Sequence, residues 1–555
     1  MPAPERLACI ALLLFAQAVG AQAPSRPNIL LLMAEDMSAR VGAFGDSMAV
    51  TPNLDALAAE GVRYTNTFTA AGVCAPSRAA HILGMHQIST GTQHMRSSTR
   101  PEGSYYSVPP EEAKAYPELL RAAGYYTYTD SKLDYQFSSV FAHSGPSTIW
   151  DIEGAAAQEW EKRAQGQPFF GFINFMVTHE SGLFPALGEM PHSAINLVMQ
   201  LMRWYAQDDP VTRVANPQDI VLPPYYPDTK TVRADMARHY NNIAYMDAEV
   251  GAILQQLDAA GLADSTIVIW TTDHGDGLPR AKRELFDSGI KVPMIIRWPE
   301  DFRPENVDPG AVDERLISFV DLGPTILSLA GVPVPANMQG HDFAASNAEP
   351  NEYIYASRDR IDEQMDRQRA ARDARYKYIR SWYPDVAGGR DLEFRNNIDM
   401  VREMRAMYDA GRLNAVQQQW YKPPGGERLF DLDQDPFEIH DVSGDPKYLG
   451  ILQRMRGAMD AWLARVGDWS DEAESAMVAG FEPGGERQVT PAPTLVVESG
   501  ALVITPVATG HSLEYRVDGG NWQLYTGPVS IDKNSEIQAR AVRYGWEESE
   551  IVSGP

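Results

Sequence analysis

Apolar positions fall into unbroken runs over the first half of the chain and into strict alternation near its end. Asn28-Ile29-Leu30-Leu31-Leu32-Met33, Phe169–Val177 and Thr266–Thr271 are continuous apolar or β-prone stretches. Such runs mark strands covered on both faces, as in a parallel sheet. Val62–Phe68 predicts a further strand. Helical patterns separate them. Thr51-Pro52 offers an N-cap and a first-turn proline, and Gly61 stops that helix. Pro117–Ala123 predicts a second helix. Met236, Tyr240, Ile243, Val250, Leu254 and Leu257 give Arg233–Ala260 an amphipathic helical spacing. Strands alternating with helices predict an α/β fold with a mainly parallel sheet.

The later pattern differs. Tyr353–Arg360 and Tyr376–Ile379 alternate as antiparallel strands, and Tyr448–Ala464 predicts a helix. Glu482–Pro493 is rich in Pro and Gly and predicts a linker. Beyond it, Leu513, Tyr515 and Val517 alternate up to Gly519-Gly520, a hairpin signal, and Ile537, Ala539 and Ala541 alternate likewise. Residues 494–555 therefore predict a β-sandwich, in which Trp522, Tyr525 and Trp546 pack a core or stack on sugars. Residues 182–230 form a long Pro-rich connection around an apolar helix, Ala194–Ala206. It reads as a lid, as a helix packed on the body, or as a protein contact.

A length of 555 residues implies more than one domain, and the net charge of -26 argues against non-specific nucleic-acid binding. Anionic substrates must then be drawn by a local basic pocket. Arg6, the apolar run Leu7–Val19 and Ala21-Gln22-Ala23 have the order of a secretory signal, residues 1–23, which predicts a periplasmic or secreted protein. No later stretch predicts a membrane span. Of the two cysteines, Cys9 leaves with the signal, so Cys74 stands alone in an oxidising compartment.

Chemistry-bearing residues gather at the ends of the predicted strands. Glu35-Asp36, Lys132-Asp134, His179 and Asp273-His274 each follow one, and in a doubly wound sheet such ends converge on one crevice. Glu35, Asp36 and Asp273 make a hard-oxygen set suited to Ca²⁺ or Mg²⁺, with His274 as a further ligand. Cys74 stands just before a short helix, Ala79–Met85, with Arg78 close by. His94 and Arg96 could contact a substrate anion. Arg358 opens the charge-dense run 358–363, which reads as a solvated surface or a sugar contact.

Cys74, Pro76, Ser77, Arg78, Ala79, Ala80 and Gly84 resemble the sulfatase signature, with Leu83 where the family often has Thr. A second block, Thr272-Asp273-His274-Gly275 through Lys282, Phe286, Asp287, Gly289, Val292 and Pro293, resembles the second sulfatase block. The resemblance spans residues 26–470. It implies an alkaline-phosphatase-like α/β sandwich (24–350), a smaller C-terminal antiparallel α+β subdomain (351–480), the linker (481–493) and the appended β-sandwich (494–555). It implies conversion of Cys74 to formylglycine, by a formylglycine-generating or anaerobic sulfatase-maturing enzyme, and Ca²⁺ held by Glu35, Asp36, Asp273, His274 and the modified residue 74. It implies sulfate contacts from Lys132 and Lys282, support of the nucleophile by Arg78, and His179 as general acid. Asp134 stands where the family places a histidine, and Ser131-Lys132-Leu133-Asp134-Tyr135 looks like a bacterial branch related to heparan N-sulfatases.

The expected function is an exported carbohydrate sulfatase acting on sulfated glycans. The competing readings are a phosphodiesterase or phosphonate monoester hydrolase of the same superfamily, a non-catalytic glycan-binding relative, and a hydrolase using unmodified Cys74.

Overall fold

The computed structural model describes residues 26–95, 103–206, 214–305, 307–498, 500–532 and 534–554. The expected signal peptide lies outside them. The sheet that organises the molecule contains β1 (Asn28–Ala34), β2 (Val62–Phe68), β3 (Tyr126–Thr129), β4 (Phe169–Phe175), β5 (Thr266–Thr272), β6 (Lys291–Arg297), β7 (Val312–Asp313) and β8 (Ile317–Ser318). The order is β3-β4-β1-β5-β6-β2-β7, with β8 also on β2. Pairings are parallel except where β6 meets β5 and β2. The sheet is thus mixed and mainly parallel, and β6 is the one reversed strand.

The unbroken apolar run of β1 has a direct cause. Leu30, Leu32 and Ala34 enter one core, while Ile29, Leu31 and Met33 enter the core on the opposite face. The first core takes the helices Pro52–Glu60 and Lys230–Ala259, and the second takes Cys74–Leu83, Tyr116–Ala122 and Leu322–Leu329. Lys230–Ala259 starts earlier than its apolar spacing suggests because the Thr229 side chain caps it, accepting from Val232 N–H.

Strands β9 (Ile354–Arg358), β10 (Gln368–Arg372), β11 (Tyr376–Ser381) and β12 (Glu427–Asp431) form an antiparallel sheet in the order β12-β11-β10-β9. Leu452, Met455, Met459 and Trp462 of the helix Leu449–Val466 pack on it. The tail forms two antiparallel sheets, one of three strands and one of four, which share a core of Leu502, Ile504, Leu513, Tyr515, Ile537 and Ala539. Asp518 and Gly519 both have positive φ at the predicted hairpin. The Arg516 and Arg540 guanidiniums lie 4.7 and 4.3 Å from the centre of the Trp522 ring.

This tail is docked on the α/β body. Glu118 is buried and accepts hydrogen bonds from Thr148, Ser512 and Tyr544, and the Phe137 and Tyr544 rings stack at 5.2 Å. Within the 481–493 segment, Arg487 donates to the carbonyls of Gly545 and Trp546. The helix Ala194–Ala206 forms as predicted. It leaves Leu197, Val198 and Leu201 exposed, so it is not wholly packed on the body.

Candidate active site

Register builds the site. β1 and β5 are adjacent and parallel, with Ala34 opposite Thr272, so the residues after each strand arrive side by side. Asp36 N–H donates to Asp273 Oδ1 at 2.9 Å, and Asp273 N–H donates to Ala34 O. On the other flank of β1, β4 ends at Phe175 opposite Ala34 and delivers His179 and Glu180. β3 lies beyond β4 and delivers Lys132. Asp36 adopts a positive φ, a conformation that Asp tolerates better than most residues.

β2 runs toward the same edge and leads to the helix Cys74–Leu83. Cys74 is the first helical residue rather than a residue ahead of the helix, with Val73 as the N-cap. Every residue of this helix is buried. The first-turn N–H groups of Cys74 and Ala75 have no intrahelical acceptor, and Pro76 has no N–H to satisfy. Gly72 precedes this turn because a Cβ there would lie 2.3 Å from the Glu284 carbonyl oxygen. Gly275 meets a similar limit, 2.0 Å from Ser288 O.

The groups converge around Cys74. Its Sγ lies 3.4 Å from His274 Nε2 and 3.9 Å from Asp36 Oδ1. Arg78 pairs with Glu35 and reaches Asp273 Oδ2 at 3.6 Å. Lys132 pairs with the other oxygen of Glu35. Lys282 Nζ donates to Asp36 Oδ2 at 2.6 Å and lies 3.3 Å from His179 Nε2. Glu35, Asp36, Asp273 and His274 are fully buried.

The electrostatics follow from burial among opposite charges. Burial pushes the Glu35 carboxyl up, but Arg78 and Lys132 outweigh it and hold the group below the usual carboxylate range. Asp36 is likewise held low against its burial, first by Lys282 and also by His274. Asp273 is pushed up by burial and then by Glu35. Burial works against a charge on His274, yet Asp273 and Asp36 hold its pKa well above the ordinary value. His179 is brought down to about 3, first by burial and then by Lys282, so its ring is neutral in this site.

Two overlapping groups have ligand atoms within 4.8 Å of one another: Asp36, Cys74, Asp273 and His274, and Glu35, Asp36, Cys74 and His179. The expected five-residue set is therefore split, with Glu35 falling in the second group. Asp273 Oδ2 is buried without a hydrogen-bond partner, and His274 Nδ1 lies 2.9 Å from Gly275 O, which leaves Nε2 facing the carboxylates. A divalent cation fits this donor set.

Glu180 was not singled out by sequence, although it follows the same strand end as His179. It accepts from Arg283 through both oxygens, at 2.7 and 2.8 Å, and holds Lys282 at 3.0 Å. His94 lines a neighbouring cavity, and Arg358 pairs with Glu284 and Asp366. Arg96 lies outside the described residues. Contrary to a solvated surface, Arg358, Asp359, Arg360 and Asp362 are all buried. Arg358 and Arg360 are matched by Glu284 and Glu474, both distant in sequence, and Asp359 by Arg369 on the adjacent strand.

The protein-family model described as Sulfatase matches residues 27–332. The chain belongs to the sulfatase family. A second model, described as N-sulphoglucosamine sulphohydrolase, C-terminal, matches residues 280–424 of this sulfatase. An ulvan-active sulfatase of Formosa agariphila is 39% identical over 557 residues, covering 95% of this chain and 91% of that one. The human N-sulphoglucosamine sulphohydrolase is 26% identical, covering 82% of this chain and 93% of its own. A solved 2-O GAG sulfatase superimposes with a TM-score of 0.56 at 19% identity, covering 81% of this sulfatase and 94% of that chain. The fold is the alkaline-phosphatase-like one of sulfatases, and the chain is a sulfuric ester hydrolase.

Proposed function

We propose that the protein is an exported carbohydrate sulfatase that removes sulfate groups from sulfated poly- and oligosaccharides, with ulvan oligosaccharides the first substrates to try. The observation that carries this reading is the meeting of Cys74, at the head of a buried helix, with three carboxylates and His274 on one side and Arg78, Lys132 and Lys282 on the other. The 39% identity to an ulvan-active sulfatase favours a glycan substrate.

In this reading Cys74 is converted to formylglycine by a maturation enzyme; one hydroxyl of the hydrated aldehyde attacks sulfur as the sugar oxygen leaves, and deprotonation of the second hydroxyl then re-forms the aldehyde and expels sulfate. Glu35, Asp36, Asp273 and His274 would hold Ca²⁺, with Mg²⁺ the weaker alternative, and the ion would draw electron density from the sulfate oxygens. Lys132 and Lys282 bind sulfate oxygens and offset the repulsion of an anionic substrate by the carboxylates. Arg78, fixed by Glu35, orients residue 74. His179 gives a proton through Nε2 to the leaving sugar oxygen. The sulfate anion beside Lys282 raises the low pKa of the His179 ring, which the substrate-free site holds neutral. Asp134, whose charge acts on Arg78 and Lys132, takes a proton from the nucleophile.

The test has two parts. Mass spectrometry of the peptide containing residue 74, from the protein made in its native host, should show the aldehyde in place of the thiol. The same preparation should turn over 4-nitrophenyl sulfate with a far higher kcat/KM than 4-nitrophenyl phosphate. An unmodified thiol in active protein overturns the nucleophile, and a preference for phosphate favours the phosphodiesterase reading. Turnover of ester and N-sulfated glycans then sorts the substrate class.

A further inference from the structure

A cavity of about 390 Å³ lies one residue layer from Cys74. Met95 and Ile361 pair as a short parallel bridge and pack against Cys74, while the residues just before them, His94 and Arg360, line the cavity. The volume falls at the lower end of the range for small-molecule sites. None of Cys74, Lys132, His179 and Lys282 lines it, so it is a place beside the reacting sulfate rather than the place of reaction.

Its charges are already matched from within. Arg360 is gripped by both oxygens of Glu474, at 2.8 and 2.9 Å. Arg367 pairs with Asp468 and Asp471 at 2.9 and 2.6 Å. Asp359 receives Arg369 at 2.9 Å and the Ser470 hydroxyl at 2.7 Å. Glu363 and Glu472 are exposed at the lining with no ion pair among the described residues. Tyr383, 38% exposed, and Met365, 41% exposed, offer an apolar edge.

Among the described residues the Arg360 and Arg367 guanidiniums are already ion-paired, so an anion entering here would compete with their carboxylates, and it would meet the field of Glu363 and Glu472. An uncharged sugar meets the opposite situation. Carboxylate oxygens and the Ser470 and Ser475 hydroxyls at the lining can share hydrogen bonds with its hydroxyls, and the exposed Tyr383 offers aromatic surface to its C–H groups. We propose that this cavity is the subsite for the sugar unit adjoining the sulfated one, and that it takes an uncharged unit. The proposal rests on the carbohydrate-sulfatase reading and adds a specificity to it.

The experiment uses the full-length matured enzyme, with 4-nitrophenyl sulfate, which has no second sugar, as the reference substrate. Sulfated oligosaccharides of defined sequence are compared in two sets, one in which the sulfated unit adjoins a neutral sugar and one in which it adjoins a uronic acid. Wild type is expected to favour the first set in kcat/KM. Tyr383→Ala is expected to raise KM for that set roughly tenfold with kcat little changed. The exposed pair Glu363→Gln and Glu472→Gln, which carries little folding risk, is expected to narrow the preference severalfold by improving use of the uronate set. A wild-type preference for the uronate set, or an unchanged KM in Tyr383→Ala, overturns the subsite. Failure of wild type to cleave 4-nitrophenyl sulfate would instead strike at the sulfatase reading itself.

Discussion

Cys74 Sγ lies 3.4 Å from Nε2 of His274, although 200 positions separate the two residues in the chain. The contact places residue 74 against the same buried carboxylates that His274 faces, so on the proposed reading one cluster would serve both the nucleophile and a cation.

Chelation of divalent ions should therefore abolish turnover of 4-nitrophenyl sulfate, and Ca²⁺ should restore it better than Mg²⁺. Asp273→Asn keeps the shape but removes charge at the oxygen that lacks a hydrogen-bond partner. It should weaken Ca²⁺ binding, measured by calorimetry on folded protein, by at least the roughly 10–100-fold that loss of a supporting metal-site partner costs. Unchanged affinity would remove Asp273 from the ligand set.

His179→Ala should lower turnover of sulfated sugars by about 10²–10⁴-fold, the usual worth of general acid–base assistance. The loss should be much smaller with 4-nitrophenyl sulfate, whose leaving group needs little protonation. Equal losses on both substrates would assign His179 to sulfate binding instead.

Asp235 should make stability depend on pH. It is buried on the helix Lys230–Ala259, accepts from Met400 N–H at 2.7 Å, and has its pKa raised from 3.8 to about 7, chiefly by burial. The folded state thus keeps a proton that the unfolded state releases. Its contribution is present below pH 3.8 and is lost as pH rises toward 7. The slope is at most about 1.4 kcal/mol per pH unit for one group. Asp235→Asn, which still accepts from Met400, should raise Tm at pH 8 and do little at pH 4. An equal effect at both pH values would contradict the assignment.

Glu118→Ala should loosen the docked β-sandwich. It strands the buried hydroxyls of Ser512, Thr148 and Tyr544, at a cost of about 1–3 kcal/mol. Limited proteolysis should then cut near residues 481–493 faster than in wild type. Unchanged cleavage would show that the stacked Phe137 and Tyr544 rings suffice.

Much of the site was legible in advance because its residues follow strands whose burial is written in local sequence. β1, β4 and β5 read as unbroken apolar runs, and Glu35-Asp36, His179 and Asp273-His274 come directly after them. The nucleophile segment was legible through its motif. Glu180 is not legible in the sequence, because a single carboxylate after a histidine carries no pattern of its own. Its meaning appears only when Arg283 and Lys282 arrive from another loop. Charge alone makes His94 and Arg358 candidate substrate contacts; the fold decides that His94 lines the neighbouring cavity and that Arg358 pairs with Glu284 and Asp366.

The sequence by itself determined the strand and helix alternation, the antiparallel tail and the chemical types gathered at the strand ends. These depend on the period and continuity of apolar positions, which are local properties of a chain. Only the tertiary structure decided that β6 runs against its neighbours, that the charged run from Arg358 to Asp362 is buried, and that the tail is clamped through Glu118. Those outcomes depend on which distant groups meet. A charge is tolerable in the interior once its partner is there, and no local pattern records where the partner will come from.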